Sequence, residues 1–429
     1  MGRNVAIIGG GFAGMAAAVS LTRQGVPVTL FEAGRQLGGR ARSVPLNDLT
    51  LDNGQHILLG AYRKTLELID FLHPQQPPYL RLPLMLEVPD RFRLEAARLP
   101  APWHLLAAIL RAEGISWRDR ISLVGFFSRL KRQRFKLKQD EPLLDFLQRH
   151  EQSRHLRQWL WEPLCLAALN TPPGIASAQL FINVLRDSLL GAAADSDMVL
   201  PLRPLGELFP VPAGRWLSQQ GGTLHTGCRV NRIRQETSGF SIHSPLGVQA
   251  FSHVICATAP QHTATLLPDT PLLDDVRHML DRFDFQPIYT VYLQYAHGTH
   301  LRRPLYALPP GRMAQWLFDR GQLTGEEGLF AAVVSAHGSH VELTHDEIAS
   351  RADEEIRSAL MPALPAPLWY QVIAEKRATF AAVPHLERPA QNTRLQDFYL
   401  AGDYTAGDYP ATLEGAVRSG LQCAASVMR

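Results

Sequence analysis

Cysteine is scarce in this chain. Four are present, Cys165, Cys228, Cys256 and Cys423, and no two form a C-x-x-C pair. That excludes a thiol redox motif, offers neither a metal ligand set nor a disulfide framework, and fits a reducing compartment. Charge of one sign is lacking too. Lys and Arg total 43 against 40 Asp and Glu, a net charge of +3, so there is no global nucleic-acid footprint. No apolar run approaches the ~20 residues of a spanning helix. The first strand-like run begins at Val5, so no signal peptide is expected, and the cytoplasm is the expected compartment. Repeats and low-complexity tracts are absent as well. What is abundant is apolar side chain, 46% of the 429 residues. A chain of that length and composition builds large cores and suits two domains.

The rest of the sequence is organised around residues 4–42. Val5, Ala6, Ile7 and Ile8 read as a buried parallel strand. Gly9, Gly11 and Gly14 then form G-x-G-x-x-G. The first permits a tight turn, the second lets backbone approach a pyrophosphate, and the third lets the following helix pack on the sheet. Residues 13–23 are rich in helix formers, and that helix would offer its N-terminal N–H groups to a diphosphate. A second strand over 26–31 ends at Glu32, 18 positions after Gly14. A carboxylate there can accept both hydroxyl protons of an adenosine ribose.

A second glycine turn follows Glu32 and Ala33. Gly38 and Gly39 would bring backbone against the diphosphate, and Arg40 would add a charge-assisted contact. In residues 50–62, Asp52, Asn53, Gly54, Gln55 and His56 supply small and polar groups. His56 is the candidate proton donor, with a backbone-satisfied loop histidine as the alternative. Near the C-terminus, residues 398–405 read as a strand ending in Gly402-Asp403. A final helix opens at Thr412 and Leu413, whose positive dipole end suits developing negative charge.

Between these motifs lie two excursions. Prolines at 74, 77, 78, 83, 89, 100 and 102 exclude long helices over 73–102 and favour short strands. Residues 103–138 read as two apolar-faced helices beside a basic run of Arg129, Lys131, Arg132, Arg134, Lys136 and Lys138. This pattern suits either an interface helix on anionic lipid or a core-facing helix with a solvated basic side. Helical patterns continue over 141–150, 154–169 and 176–190, and Pro287 to Tyr295 alternates like a sheet over a cavity.

The motifs resemble the phytoene desaturase and flavin amine oxidase superfamily. The carriers are Glu32 followed by Gly38-Gly39-Arg40, the returning segment with Val230 and Ala257, and the terminal LAGDYT with ATLEGAVRSG. Within it, DNGQHILLGAY, WEPLCLAALNTPP and SAQLF look like the hydroxysqualene dehydroxylase branch. The resemblance implies an α/β fold: a Rossmann-type FAD-binding domain interleaved with a mixed α+β substrate domain, like glutathione reductase and the amine oxidases. The FAD domain would take 1–72, 211–265 and 385–429, and the substrate domain 73–210 and 266–384 with an apolar helical part near 103–200. FAD would be held noncovalently by Gly9, Gly11, Phe12, Ala13, Gly14, Glu32, Ala33, Gly38, Gly39, Arg40, Gly54, Gln55, Val230, Ala257, Gly402, Asp403, Thr412 and Leu413, with no metal.

The activity implied is reductive loss of the hydroxyl from a long isoprenoid, hydroxysqualene, giving squalene. Such a reaction needs an electron donor for the flavin, and such a substrate favours peripheral membrane contact through 103–138. A carotenoid desaturase or isomerase, an amine oxidase and a non-catalytic prenyl-binding escort protein are the alternatives. Residues 283–295 carry no lysine of the kind amine oxidases place near the flavin.

Overall fold

The computed structural model describes residues 2–46, 48–189 and 191–429. Its centre is a parallel sheet in the order Thr223–His225, Val28–Phe31, Val5–Ile8, His253–Cys256, Phe398–Leu400. Every residue of Val5–Ile8 is buried, as an unbroken apolar run between two covered faces requires. Val5 pairs with Val28 on one side and His253 on the other. Because the strands are parallel, the turns after Ile8, Phe31, Cys256 and Leu400 all emerge at one edge. Ligands of open α/β sheets bind outside this carboxyl edge.

A second sheet is antiparallel, in the order Leu305–Ala307, Trp316–Asp319, Leu329–Ser335, Phe285–Gln294, Trp369–Phe380. Side chains alternate between its faces. Tyr289, Val291, Leu293 and Val372 pack with Ile348 and Ile356 of the helix His345–Ala359. Tyr292, Trp316, Phe318 and Val333 join the main core on the other face. Thr344 and Glu347, at the spacing of a capping box, make both of its reciprocal bonds.

The proline-rich stretch contains three short strands, Tyr79–Leu82, Met85–Val88 and Phe92–Glu95. Helices Trp103–Arg111 and Trp117–Arg132 follow. The segment 154–169 is helical but not uniform, since Arg157–Trp161 forms a π turn before Glu162–Leu169. The C-terminal helix Leu413–Val427 is tied to the helix Arg63–Leu72 by Glu414, which is fully buried. Its carboxylate accepts from the Lys64 and Thr65 backbone amides, from Thr65 Oγ1 at 2.8 Å and from Arg418 Nε at 2.7 Å. A buried carboxylate is tolerated only when its lone pairs are satisfied in this way.

Candidate flavin site

At the carboxyl edge of the parallel sheet lies a cavity of about 840 Å³. The first glycine turn forms one wall. Gly9 sits at φ 112°, and a Cβ there would lie 2.5 Å from the Ala257 carbonyl oxygen. Gly11 precedes the helix Phe12–Arg23, and no side chain caps that helix. Its N-terminal turn, with Phe12 and Ala13, lines the cavity and supplies amide donors to an anion. Gly11 and Gly39 face one another: a Cβ on Gly11 would come no nearer than 4.0 Å, to Gly39 Cα. The two glycine turns thus bound a slot walled by backbone alone. Gly14 does not line the cavity, and its Cβ would lie 2.0 Å from the Gly9 carbonyl oxygen. Its absent side chain serves turn–helix packing.

Glu32 accepts from the Gly10 and Gly34 amides, each at 2.6 Å. Each oxygen retains a lone pair for a ribose hydroxyl. Alongside runs the middle segment: the Cys228 amide donates to the Glu32 carbonyl and the Gly227 amide to the Gly34 carbonyl. That places Val230 and Ala33 on the cavity wall with Glu32. At the other end, Gly38, Gly39 and Arg40 meet Gly402 and Asp403, while Thr412 and Leu413 open the last helix. Thr412 Oγ1 accepts from the Gly415 amide at 3.0 Å, fixing that helix start. Arg40 and Asp403, 363 positions apart, are bonded at 2.5 Å, and Arg40 also donates to the Ala378 carbonyl. The sequence assigned both residues to the cofactor separately; the structure joins them into one charged bridge between the chain's two ends.

Gly54, Gln55 and His56 also line the cavity. His56 Nδ1 lies 2.6 Å from the Gly54 carbonyl oxygen. A carbonyl only accepts, so Nδ1 carries the proton and Nε2 presents a lone pair. Burial lowers the pKa of the imidazole, with Arg40 adding to this and the Gly54 bond opposing it. At neutral pH His56 is therefore an acceptor, the arrangement of the backbone-satisfied loop histidine rather than of the proton donor. Asp52, from the same stretch, turns away from the cavity. Its carboxylate accepts from the Leu205 amide at 2.7 Å and faces the buried Arg320 at 3.6 Å, while Arg320 also donates to Gln55 Oε1 at 3.1 Å.

Leu166 of WEPLCLAALNTPP and Ile288 of the alternating 287–295 strand make one end apolar together with Leu266, Trp316, Phe318 and Val333, which carried no motif, and Glu375 stands between that end and Arg40. The strand Trp316–Asp319 is too short, and the path from Glu375 to Asn53 too long in sequence, for local pattern to reveal either.

A family model described as flavin containing amine oxidoreductase matches residues 12–428. The chain belongs to this flavin-containing amine oxidoreductase family. It is an FAD-dependent oxidoreductase, and its residues fit that cofactor. The backbone-walled slot admits a diphosphate, Glu32 suits the ribose, and the helix start at Thr412 and Leu413 suits an electron-rich ring edge. Across 99% of its length the flavoprotein is 27% identical to a hydroxysqualene dehydroxylase of Sinorhizobium fredii, covering 98% of that protein. It is 28% identical to the hydroxysqualene dehydroxylase of Rhodopseudomonas palustris, over 100% of this chain and 99% of that one. Its fold is similar to that of cyclohexylamine oxidase from Brevibacterium oxydans, with a TM-score of 0.73 at 17% identity, over 100% of this chain and 99% of the other.

Two predictions come from this geometry. G11A is expected to fold with an unchanged melting temperature as apoprotein yet to lose FAD, because its methyl occupies the slot and meets no protein atom. G14A is expected to lose both, because its methyl meets backbone; absorbance at 450 nm and thermal melts separate the two. The second concerns Asp52, whose carboxyl burial pushes up to about 6 against the pull of Arg320. The folded chain holds that proton more tightly than an unfolded one. The resulting stability is complete below about pH 4 and is lost as pH rises through 6. D52N is thus expected to gain about 2–3 kcal/mol on the wild type between pH 4 and pH 7 in denaturant titrations.

Proposed function

We propose that this flavoprotein reductively removes the hydroxyl of hydroxysqualene to give squalene. The observation that carries the reading is the continuity of one cavity. A backbone-walled slot for the cofactor opens directly into an apolar chamber walled by Leu166, Ile288, Trp316 and Phe318. A long hydrocarbon fits such a wall, and the full-length similarity to hydroxysqualene dehydroxylases supplies the alcohol. When bound and reduced, FAD supplies a hydride equivalent. The chain's own residues do the rest. The Arg40–Asp403 bridge holds the two ends of the chain around the ring, and the apolar walls exclude water from a reactive carbon. His56 Nε2 accepts a hydrogen bond and orients what lies beside it. Lys376 is exposed on the strand Trp369–Phe380, and among the described residues no lysine lines the cavity. This favours the isoprenoid over the amine reading.

We read the chain as two interleaved units: 1–72, 211–265 and 385–429 for FAD, and 73–210 and 266–384 for substrate. In support, the parallel sheet draws its strands from the first set and the antiparallel sheet from the second.

Delivery of substrate decides how the enzyme sits. About thirty carbons at ~0.8 kcal/mol each would oppose transfer into water by on the order of 20 kcal/mol. Substrate therefore stays in a bilayer and the protein docks on it. Among the described residues no helix is long and apolar enough to cross a membrane. Support for docking comes from the helix Trp117–Arg132. Leu123, Phe126 and Leu130 face the core, while Trp117 and Ile121 on the opposite face are 67% and 71% exposed. Trp103 is 60% exposed nearby, and the whole basic run Arg129 to Lys138 is solvent-facing at its charged residues. Apolar anchors beside a basic cluster match an interfacial helix on anionic lipid.

Incubating enzyme and dithionite-reduced FAD with hydroxysqualene is expected to yield squalene; a desaturated product from phytoene under oxidising conditions, and none here, would instead place it with the desaturases. For docking, sedimentation with anionic liposomes is expected to fall at least fivefold in K131E/R132E/R134E and in W117S/I121S, with FAD content unchanged. Undiminished sedimentation in both would remove the membrane from the scheme.

A further inference from the structure

The antiparallel sheet floors the apolar end of the cavity. Of its strands, Ile288, Trp316, Phe318, Val333, Ser335, Glu375, Ala378 and Thr379 line the space. Among these described residues Glu375 is the single ionisable side chain. Its placement follows from register: Glu375 pairs with Ile288 and Ile373 with Thr290, whereas Val372 faces the helix layer on the opposite side. Strand alternation therefore directs Glu375 to the cavity face. Its Oε2 accepts from Asn53 Nδ2 at 3.0 Å, and the same amide donates to the Arg40 carbonyl at 3.1 Å, which fixes the pair. Oε1 has only a long contact, 3.5 Å, to the Arg377 amide.

The cavity's other carboxylates are committed. Glu32 is held by two backbone amides at the ribose end, and Asp403 is bonded to Arg40. Among the described residues Glu375 forms no ion pair. Arg40 is near enough to feel its charge but is itself bonded to Asp403. A carboxylate without a direct ion-pair partner, on the floor of an apolar chamber, is an electrostatic site for positive charge that forms only during reaction. We propose that Glu375 is a catalytic residue that stabilises an allylic cation in the substrate. This rests on the dehydroxylation reading above. In that step the C–O bond breaks with its electron pair on oxygen, which takes a proton from solvent and departs as water. The carbon is left cationic beside Glu375. A hydride equivalent from the reduced cofactor of the proposed reaction then neutralises it. In a chamber of low dielectric one fixed negative charge at contact distance acts far more strongly than it would in water. Its contribution is made where the charge develops, not in binding the neutral alcohol.

The test uses holoenzyme and the allylic amine in which NH2 replaces the hydroxyl of hydroxysqualene, protonated at pH 7. Wild type is expected to bind this amine at least tenfold more tightly than squalene. E375Q should lose that gain while retaining FAD and binding squalene within twofold. For hydroxysqualene, E375Q should lower kcat at least a hundredfold with KM changed less than threefold. Equal binding of amine and squalene by wild type would overturn the proposal. So would an unchanged preference in E375Q, or oxidation of the amine with bleaching of the flavin, which would make Glu375 an amine-recognition group. If wild type shows the Glu375-dependent amine preference but forms no squalene, the dehydroxylation reading fails and the cation site stands.

Discussion

The rest of the site depends on a contact made without side chains. Gly11 and Gly39 meet across a gap in which the nearest approach of a would-be Cβ is 4.0 Å to a Cα. Nothing but backbone can bound a passage for a diphosphate so closely while presenting N–H groups to it. Both glycines are fixed in place by sheet geometry. One follows the strand Val5–Ile8, and the other lies in the turn beyond Val28–Phe31, held by the Gly38 amide bonded to the Gly10 carbonyl at 2.9 Å. Hence the parallel register of two four-residue strands sets the width of the slot.

The two ends of the chain are drawn to this slot by different forces. The Arg40–Asp403 bridge is charged and sits at the cavity wall. Glu414, eleven residues after Asp403 and in the first turn of the last helix, is buried and neutralised by backbone amides and Arg418. The first can rearrange toward a ligand without disturbing the core. The second cannot, since an unsatisfied buried carboxylate would destabilise the fold outright. Separating the two tasks lets the C-terminal helix stay fixed while the groups at its N-terminus serve the cofactor.

How much of this the sequence shows depends on the range of the interaction that records it. The strand–turn–helix at residues 5–23, Glu32 at the second strand's end, the capping box at Thr344 and the glycine turn at 38–39 are local, and local pattern reports them. The sequence groups Asp52 with the small and polar residues after it, yet its carboxylate serves Arg320 and the Leu205 amide. Asp52 closes the strand Leu49–Asp52, whereas the residues that line the cavity lie in the loop after it. His56 lies where expected, but its tautomer is set by the Gly54 carbonyl two residues away, which only the turn's geometry discloses. Glu375 has no signature at all. Its meaning comes from Ile288 and Asn53, 87 and 322 positions distant, and no spacing rule spans such separations.

The segment 103–138 shows the same limit from the other direction. In sequence its apolar residues read as one face per helix, and a single face leaves open whether core or lipid covers it. Trp117–Arg132 carries two. Leu123, Phe126 and Leu130 are one stripe and are buried; Trp117, Ile121 and Val124 are another, on the far side, and are exposed. At 100° per residue the two stripes are nearly opposite, so no rotation of the helix could bury both against one core. The buried stripe accounts for the fold. The exposed one adds nothing to it, and water penalises it by roughly 1.5–3 kcal/mol for each large side chain left uncovered. Sequence reasoning alone had to weigh a core helix against a membrane helix; the structure makes the core-facing role and the free apolar stripe coexist in one element, which turns the membrane question from a choice about the fold into a choice about the surface.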